Sequence, residues 1–373
     1  MKRVCFIYPP SYHYRRPFHE RLREILREAG VDYVVYYSHL GKRDRFKNDT
    51  VDIEWGRCVP LTRFSGQEYQ HVLLEASGYD LAIVQQENKL LVNYGLLALS
   101  RLRGNKVAYF GHGRNFQSRN PDGAGERFKQ FWATKADWWF AYTDETRRHV
   151  ESLGYPSERI TVFNNAVDTT ELRQQVAAAD EGRLEALRRQ FGIGPGPIGV
   201  FIGSIYPDKR MGFLVEAADL IRSRVPDFEF VVIGGGSDLP LTEELARTRP
   251  WMHVMGPRFG QEKVDLMCVG HVFLMPGLMG LAILDAGVTG LPIATTAFPW
   301  HSPEIAYLEP GVNGLLVADW QNSQAYGDAV ADLLLDPARR SAMADEARAM
   351  ADRYSIEQMA QRFAAGVFKA LGT

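Results

Sequence analysis

Cysteine is scarce. The three in the chain, Cys5, Cys58 and Cys268, stand far apart and make no C-x-x-C pair. This excludes a disulfide framework and a thiolate zinc site, and it fits a reducing compartment. An excess of charge of one sign is missing as well: the formal net charge is −2, which argues against nucleic acid as a partner. An unbroken hydrophobic run is missing too. The longest apolar stretch, 272–298, is interrupted by Pro276, Asp285, Pro292 and several glycines. It reads as strand, loop, helix and strand of a buried α/β core rather than a membrane span. The apolar run at 4–8 is shorter than a secretory h-region and meets no small-residue cleavage site, so a cytoplasmic location is expected. Finally, no G-x-G-x-x-G follows that first run, where Pro9-Pro10 stands instead, which sets aside a NAD-dependent oxidoreductase.

What the chain does have is length and alternation. With 373 residues, 46% hydrophobic and 24% charged, it is long enough for two cores. Residues 1–165 carry 25 Lys and Arg against 19 Asp and Glu, and the remainder carries 18 against 26. The basic first half suits an anionic acceptor or an anionic membrane surface, as well as ordinary solvated charge. Runs at 4–8, 33–37, 81–84, 106–110, 138–142 and 160–163 read as strands, with helices at 17–29, 91–102 and 145–153. The pattern restarts with strands at 199–203, 229–233, 272–275 and 292–295 and a helix at 211–222. Between the halves, 171–196 turns polar and ends in a dense run of breakers, Gly192-Ile193-Gly194-Pro195-Gly196-Pro197. The expected organisation is an α/β first domain over 1–170, a linker over 171–196, a second α/β domain over 197–350 and a helix over 351–373.

Several loops at expected strand ends carry candidate chemistry. Met275-Pro276-Gly277-Leu278-Met279-Gly280-Leu281 leads from a strand into a helix expected to start near Gly280. First-turn amides have no internal partners and carry the positive end of the helix dipole, so they suit phosphate. Asp285, one turn after Leu281, is placed for a ribose hydroxyl. The loop Gly203-Ser204-Ile205-Tyr206-Pro207-Asp208-Lys209-Arg210 also joins a strand to a helix, which puts Lys209 forward as a phosphate contact. Gly256-Pro257-Arg258-Phe259 is a candidate for the nucleotide base. In the first half, Tyr14, Arg15 and Arg16 lie in the loop after the first strand. Gly111-His112-Gly113-Arg114-Asn115 follows a later one. A lone histidine is more often structural, but two flanking glycines at a strand end favour a site. The aromatic stretch 128–132, with Trp138 and Trp139 beyond, reads as helix-to-sheet packing, with a membrane surface as the alternative.

These motifs together resemble those of the family-4 retaining glycosyltransferases of the GT-B fold. Gly280-Leu281 and Leu284-Asp285-Ala286 match the family's G-L and L-E-A, with Asp for Glu, and Gly290-Leu291-Pro292-Ile293 match the strand entry that follows. Gly203 to Lys209 is similar to G-R-L-x-x-E-K, with Ser204 in place of the arginine and Arg210 as the candidate to compensate for it. Val162-Phe163-Asn164-Asn165-Ala166-Val167-Asp168 resembles V-x-P-N-G-V-D, and Pro303-Glu304-Ile305 with Gly311, Asn313 and Gly314 resembles P-E-I…G-x-N-G. One departure stands out: the first glutamate of the family's E-x7-E pair, which contacts the donor sugar, falls at Gly277.

The resemblance implies two Rossmann-like domains facing across a cleft, the last helix crossing back to the first. It implies a UDP- or GDP-sugar donor held by Gly203, Ser204, Lys209, Arg210, Arg258, Gly280, Leu281 and Asp285. His112 and Lys209 would be catalytic, with Tyr14, Arg15, Arg16, Arg114, Asn115 and Glu304 as acceptor or cleft candidates. The expected reaction moves a hexose to an acceptor hydroxyl with retention. No D-x-D stands in the chain to hold a metal, so metal independence is expected and no cofactor besides the donor. Peripheral contact with a membrane and the oligomeric state stay open. So do two other readings, a nucleotide-sugar epimerase of the same fold and a silent nucleotide-sugar-binding subunit.

Overall fold

Val4, Cys5, Phe6 and Ile7 are all buried, without the alternation of a one-sided strand, and this places β1 (Lys2–Ile7) in the middle of a sheet covered on both faces. The structure, a computed structural model, describes residues 1–9, 12–39, 51–114 and 123–373. Among these, β1 is followed by β2 (Val31–Tyr37), β3 (Arg57–Cys58), the antiparallel hairpin β4 (Leu61–Phe64) and β5 (Gln67–Gln70), then β6 (Leu81–Gln85), β7 (Lys106–Gly111), β8 (Trp138–Ala141) and β9 (Ile160–Val162). Apart from the hairpin they form one parallel sheet in the order β3-β2-β1-β6-β7-β8-β9. The order reverses between β1 and β6, the kind of switch point beside which α/β proteins bind ligands. The helices here are α1 (Arg16–Glu28), α2 (Leu73–Ala76), α3 (Val92–Arg103), α4 (Ala124–Ala133) and α5 (Asp144–Ser152).

The stretch expected as a linker is itself helical. It holds α6 (Thr170–Ala177) and α7 (Glu181–Phe191), the latter started by Asp180, whose carboxylate accepts from the Arg183 amide at 2.9 Å. Both pack on α10 (Gly260–Cys268). The other helices of this half are α8 (Met211–Arg224), α9 (Leu239–Ala246), α11 (Ala282–Thr289), α12 (Ser323–Leu335) and α13 (Pro337–Arg353). The second sheet is also parallel, built from β10 (Ile198–Ile202), β11 (Glu229–Ile233), β12 (Met252–Gly256), β13 (Val272–Leu274), β14 (Ile293–Thr296) and β15 (Gly314–Val317). Its order is β12-β11-β10-β13-β14-β15, with the reversal between β10 and β13.

The last helix, α14 (Ile356–Leu371), begins at Ser355, whose hydroxyl accepts from the Gln358 amide. It belongs to the first core. Phe363 stacks on Phe140 with ring centroids 3.9 Å apart and also meets Phe18 and Phe163 edge-on. The chain thus divides into two compact units, Met1–Asp168 with Tyr354–Thr373, and Thr169–Arg353. Among the described residues, no helix is long and apolar enough to cross a membrane.

Candidate functional site

In the second unit, the loops that leave the carboxyl ends of neighbouring strands are stitched together by their backbones. Beyond β10, the Gly203 amide donates to the Ile233 carbonyl at 3.0 Å and the Ile205 amide to that of Gly235 at 2.8 Å. Gly234 has φ +148°, and a Cβ there would sit 1.9 Å from the Gly203 oxygen, so a side chain is excluded. A second seam joins this loop to the one after β13. The Leu278 amide donates to the Asp208 carbonyl at 2.9 Å, and Lys209 Nζ donates back to the Leu278 carbonyl.

That seam explains the glycine at 277. A Cβ there would lie 2.1 Å from the Asp208 carbonyl oxygen and 2.9 Å from the Lys209 carbonyl carbon. The main chain of one loop occupies the space that a glutamate's first carbon needs.

The same loop is pinned from its other side. The Thr295 hydroxyl donates to the Met275 carbonyl and that of Thr296 to the Pro276 carbonyl, each at 2.7 Å. The Ser302 amide donates to the Met279 carbonyl at 2.9 Å, and His301 accepts from the Met279 amide. The carbonyls of 275, 276, 278 and 279 are therefore all engaged. The helix starts slightly later than expected, with Leu281 as its cap and Ala282 as its first residue. Two of its first-turn amides are already engaged, Ile283 donating to the Gly280 carbonyl at 3.1 Å and Leu284 to that of Leu281 at 2.9 Å, so what this end of the helix offers an anion is chiefly the positive pole of its dipole.

Lys209 is 7% exposed, at the end of a short 3-10 turn over Pro207–Lys209. Burial pulls its pKa down to about 8, with Asp208 opposing the change. Arg210, expected as its partner at phosphate, faces elsewhere. Its guanidinium donates to the Trp320 carbonyl at 2.5 Å and lies 4.0 Å from the Phe213 ring centroid and 4.8 Å from that of Trp320. Ser204 is exposed at the loop's start. Asp285 is half-buried, 3.6 Å from Lys263 Nζ; burial raises its carboxyl's pKa and the Lys263 ammonium works against that. Arg258 lies 3.5 Å from Glu262, beside the exposed ring of Phe259. Glu304 is buried in the turn Pro303–Tyr307.

In the first unit, four strand ends contribute to one cluster. Arg15, after β1, is buried; it donates to Asn165 Oδ1 beyond β9 at 2.6 Å and to the Tyr142 hydroxyl beyond β8 at 2.9 Å. Burial works against its charge, but the hydroxyls of Tyr142, Tyr14 and Tyr8 more than offset that, and the guanidinium stays protonated. The His112 ring, beyond β7, meets Tyr142 edge-on at 4.1 Å. Burial, then Lys129 and Arg15, push its pKa down to about 3, so the imidazole is neutral at physiological pH. Tyr14 stacks on Tyr12. Arg16 pairs with Glu20 at 2.6 Å and Arg114 with Glu145 at 2.9 Å, both at the surface. Asn115 lies outside the described residues. Sequence reasoning missed His301, Tyr142 and the role of Asn165. Their contacts are with residues distant in the chain, and no local motif marks them.

Among the described residues, no group of three or more His, Cys, Asp or Glu side chains is arranged to hold a metal.

Two family models match the chain: "Glycosyltransferase Family 4" over residues 20–171 and "Glycosyl transferases group 1" over residues 196–336. The D-inositol 3-phosphate glycosyltransferase of Corynebacterium urealyticum is 32% identical over 247 residues, 61% of this chain and 55% of that protein. The GDP-mannose-dependent alpha-(1-6)-phosphatidylinositol monomannoside mannosyltransferase of Mycolicibacterium smegmatis is 29% identical over 215 residues, 53% of each. The matches thus span little more than half the length of these relatives. Among solved structures, Anabaena Alr3699/HepE in complex with UDP superimposes with a TM-score of 0.71 at 16% identity, over 99% of this chain and all of that one. Sucrose-phosphate synthase from Thermosynechococcus elongatus does so with a TM-score of 0.68 at 15% identity, over 100% and 99%.

Proposed function

The chain belongs to the family-4-like glycosyltransferases of the GT-B fold, and from that premise we propose that it transfers a hexose from a nucleoside-diphosphate sugar to an acceptor hydroxyl. The observation that carries the reading is the buried ammonium of Lys209, fixed against the loop that opens α11. A cation and a helix amino-terminus at one switch point form an anion site, and a diphosphate is the anion that a donor sugar brings. UDP and GDP are the nucleotides of choice: one fold relative was solved with UDP, and one sequence relative is GDP-mannose-dependent.

In the proposed reaction, the bond between the anomeric carbon and the diphosphate oxygen breaks, and its electron pair leaves with the diphosphate. Lys209 and the positive end of the α11 dipole stabilise the charge that develops there. The acceptor oxygen bonds to the anomeric carbon on the face the diphosphate leaves, and its proton passes to the departing phosphate oxygen. The configuration is thereby retained without a protein nucleophile or a metal. His112, neutral and held against Tyr142, is assigned to the acceptor side as a hydrogen-bonding group for a sugar hydroxyl.

Thermal-shift titration against UDP, GDP, ADP, TDP and CDP, with and without EDTA, tests the donor half. A nucleotide that binds only the folded state raises the melting temperature with concentration. One nucleotide should do so in EDTA and fail to do so with Lys209→Ala. Transfer to a panel of hydroxyl acceptors, followed by the anomeric configuration of the product, tests the rest. Absence of a shift with every nucleotide would refute the proposal.

A further inference from the structure

Helix α3 carries no charged residue from Val92 to Ser100, although one of its faces looks outward. Val92, Leu96, Leu97 and Ser100 are buried against the sheet, while Leu91, Ala98 and Leu102 are exposed. A helix resting on a sheet ordinarily turns charge to the water. Here the charges come only in the last turn, as Arg101 and Arg103. Of the seven large apolar side chains exposed in the first unit among the described residues, five are on α2, α3 and α4 or their caps: Leu74, Leu91, Leu102, Phe128 and Phe131. Leu102 is 83% exposed and Phe131 59%.

These three helices make one continuous face. The Tyr94 ring meets Phe128 at 5.7 Å and Trp132 at 4.9 Å, Arg101 donates to the Lys135 carbonyl at 2.9 Å, and Arg103 donates to the Ser77 hydroxyl at 2.5 Å. The ammonium of Lys135 lies over Phe131, 4.7 Å from its centroid. The expectation of simple packing for 128–132 therefore holds for Trp132 and not for the two phenylalanines, which turn outward.

We infer that this face docks on an anionic lipid bilayer, with Leu102, Phe128 and Phe131 entering the headgroup boundary and Arg101, Arg103, Arg127 and Lys135 meeting lipid phosphate. Apolar and aromatic side chains interleaved with cations are the chemistry that such a boundary selects. A second copy of the chain is the poorer occupant, because a two-fold contact would bring these cations against their own kind, with only Glu75 and Glu126 on α2 and α4 to offset them. The contact would be peripheral, and the inference does not depend on the reading of the donor site.

Sedimentation with vesicles tests it. The full chain should pellet with vesicles of phosphatidylglycerol and phosphatidylcholine, fail to pellet with phosphatidylcholine alone, and be released at about 0.5 M salt, where charges are screened within a few ångströms. Phe131→Ser with Leu102→Ser, and separately Arg127→Glu with Lys135→Glu, should each lower partitioning about tenfold. Leu102, Phe131 and Arg127 are exposed and Lys135 is half-buried, and unchanged melting temperatures and nucleotide-induced shifts would show that the fold and donor site are intact. Equal binding to both vesicle types, binding to neither, or variants that partition like the parent would overturn the inference. So would a concentration-dependent dimer that the Phe131→Ser, Leu102→Ser variant loses, because a second copy would then cover the face.

Discussion

The amide of Met279 donates to Nδ1 of His301 at 2.9 Å, and Nε2 of the same ring lies 2.8 Å from the Thr296 carbonyl, so His301 is a neutral imidazole with its proton on Nε2. One buried ring thus ties the loop before α11 to the end of β14. A protonated ring would turn an N–H toward the N–H of Met279.

Burial lowers the His301 pKa from 6.5 to about 4, with Lys209 acting in the same direction and the Thr296 carbonyl against it. Between those values the unfolded chain binds a proton that the folded one refuses. The stabilisation is complete above pH 6.5, falls as the pH drops toward 4 and then levels off, a loss of up to about 3 kcal/mol. His19 and His271, also lowered by burial, add to the slope. Thermal denaturation between pH 4 and 7 should show it, and His301→Asn, whose amide oxygen can still accept from Met279, should be measurably flatter.

Lys209 titrates from the other side. With its pKa near 8 in the free protein, nucleoside-diphosphate affinity should be level below about pH 7 and weaken by up to about tenfold per unit above 8. Calorimetric titration from pH 6.5 to 9.5 measures this. Lys209→Arg should abolish the dependence, since guanidinium keeps its proton throughout that range.

Restoring the family's glutamate at 277 should damage the site rather than improve it. With 2.1 Å between a Cβ and the Asp208 oxygen, even Gly277→Ala must part the two loops, at about 1–3 kcal/mol. Gly277→Ala and Gly277→Glu should both weaken nucleotide binding at least about tenfold, and denaturant unfolding should report the lost stability. A tighter-binding Gly277→Glu would show that the seam yields.

Arg210 holds a left-handed backbone conformation, φ +60° and ψ +46°, between Lys209 and α8. Either truncation loses the stack on Phe213 and Trp320. Arg210→Gly relieves the strain and Arg210→Ala keeps it, so the glycine variant should be the more stable by about 1 kcal/mol, the reverse of their usual order in a helix. Urea denaturation of the pair decides it.

Phe363→Ala removes a ring stacked between Phe140 and two further phenylalanines. A cavity of that kind costs about 3–5 kcal/mol. Unfolding followed through the first unit's buried Trp139 should shift accordingly.

The periodic elements were legible in the chain because burial on both faces writes itself as unbroken apolar runs: the strand at 229–233 emerges with the expected bounds, and most others within two residues. The hairpin of β4 and β5 was not, since its strands are largely exposed and lack that pattern. Its Ser65-Gly66 turn, with φ +45° and +79°, was the available signal. At the site, glycine loops and Lys209 could be read from spacing. The absence of a glutamate at 277 could be seen but not explained, because its cause is the backbone of Asp208, 69 residues away. The aim of Arg210 was equally hidden, being set by Trp320 on a distant loop.

The return of α14 to the first unit has a consequence for biosynthesis. A ribosome delivers the first unit's sheet early, then the whole of the second unit, and only afterwards the helix that carries Phe363. Phe18, Phe140 and Phe163 must wait uncovered through that interval. The second unit, contiguous in sequence from Thr169 to Arg353, is free to fold first, so that the half of the molecule synthesised earliest is the last to mature and the one most exposed to chaperones and aggregation along the way.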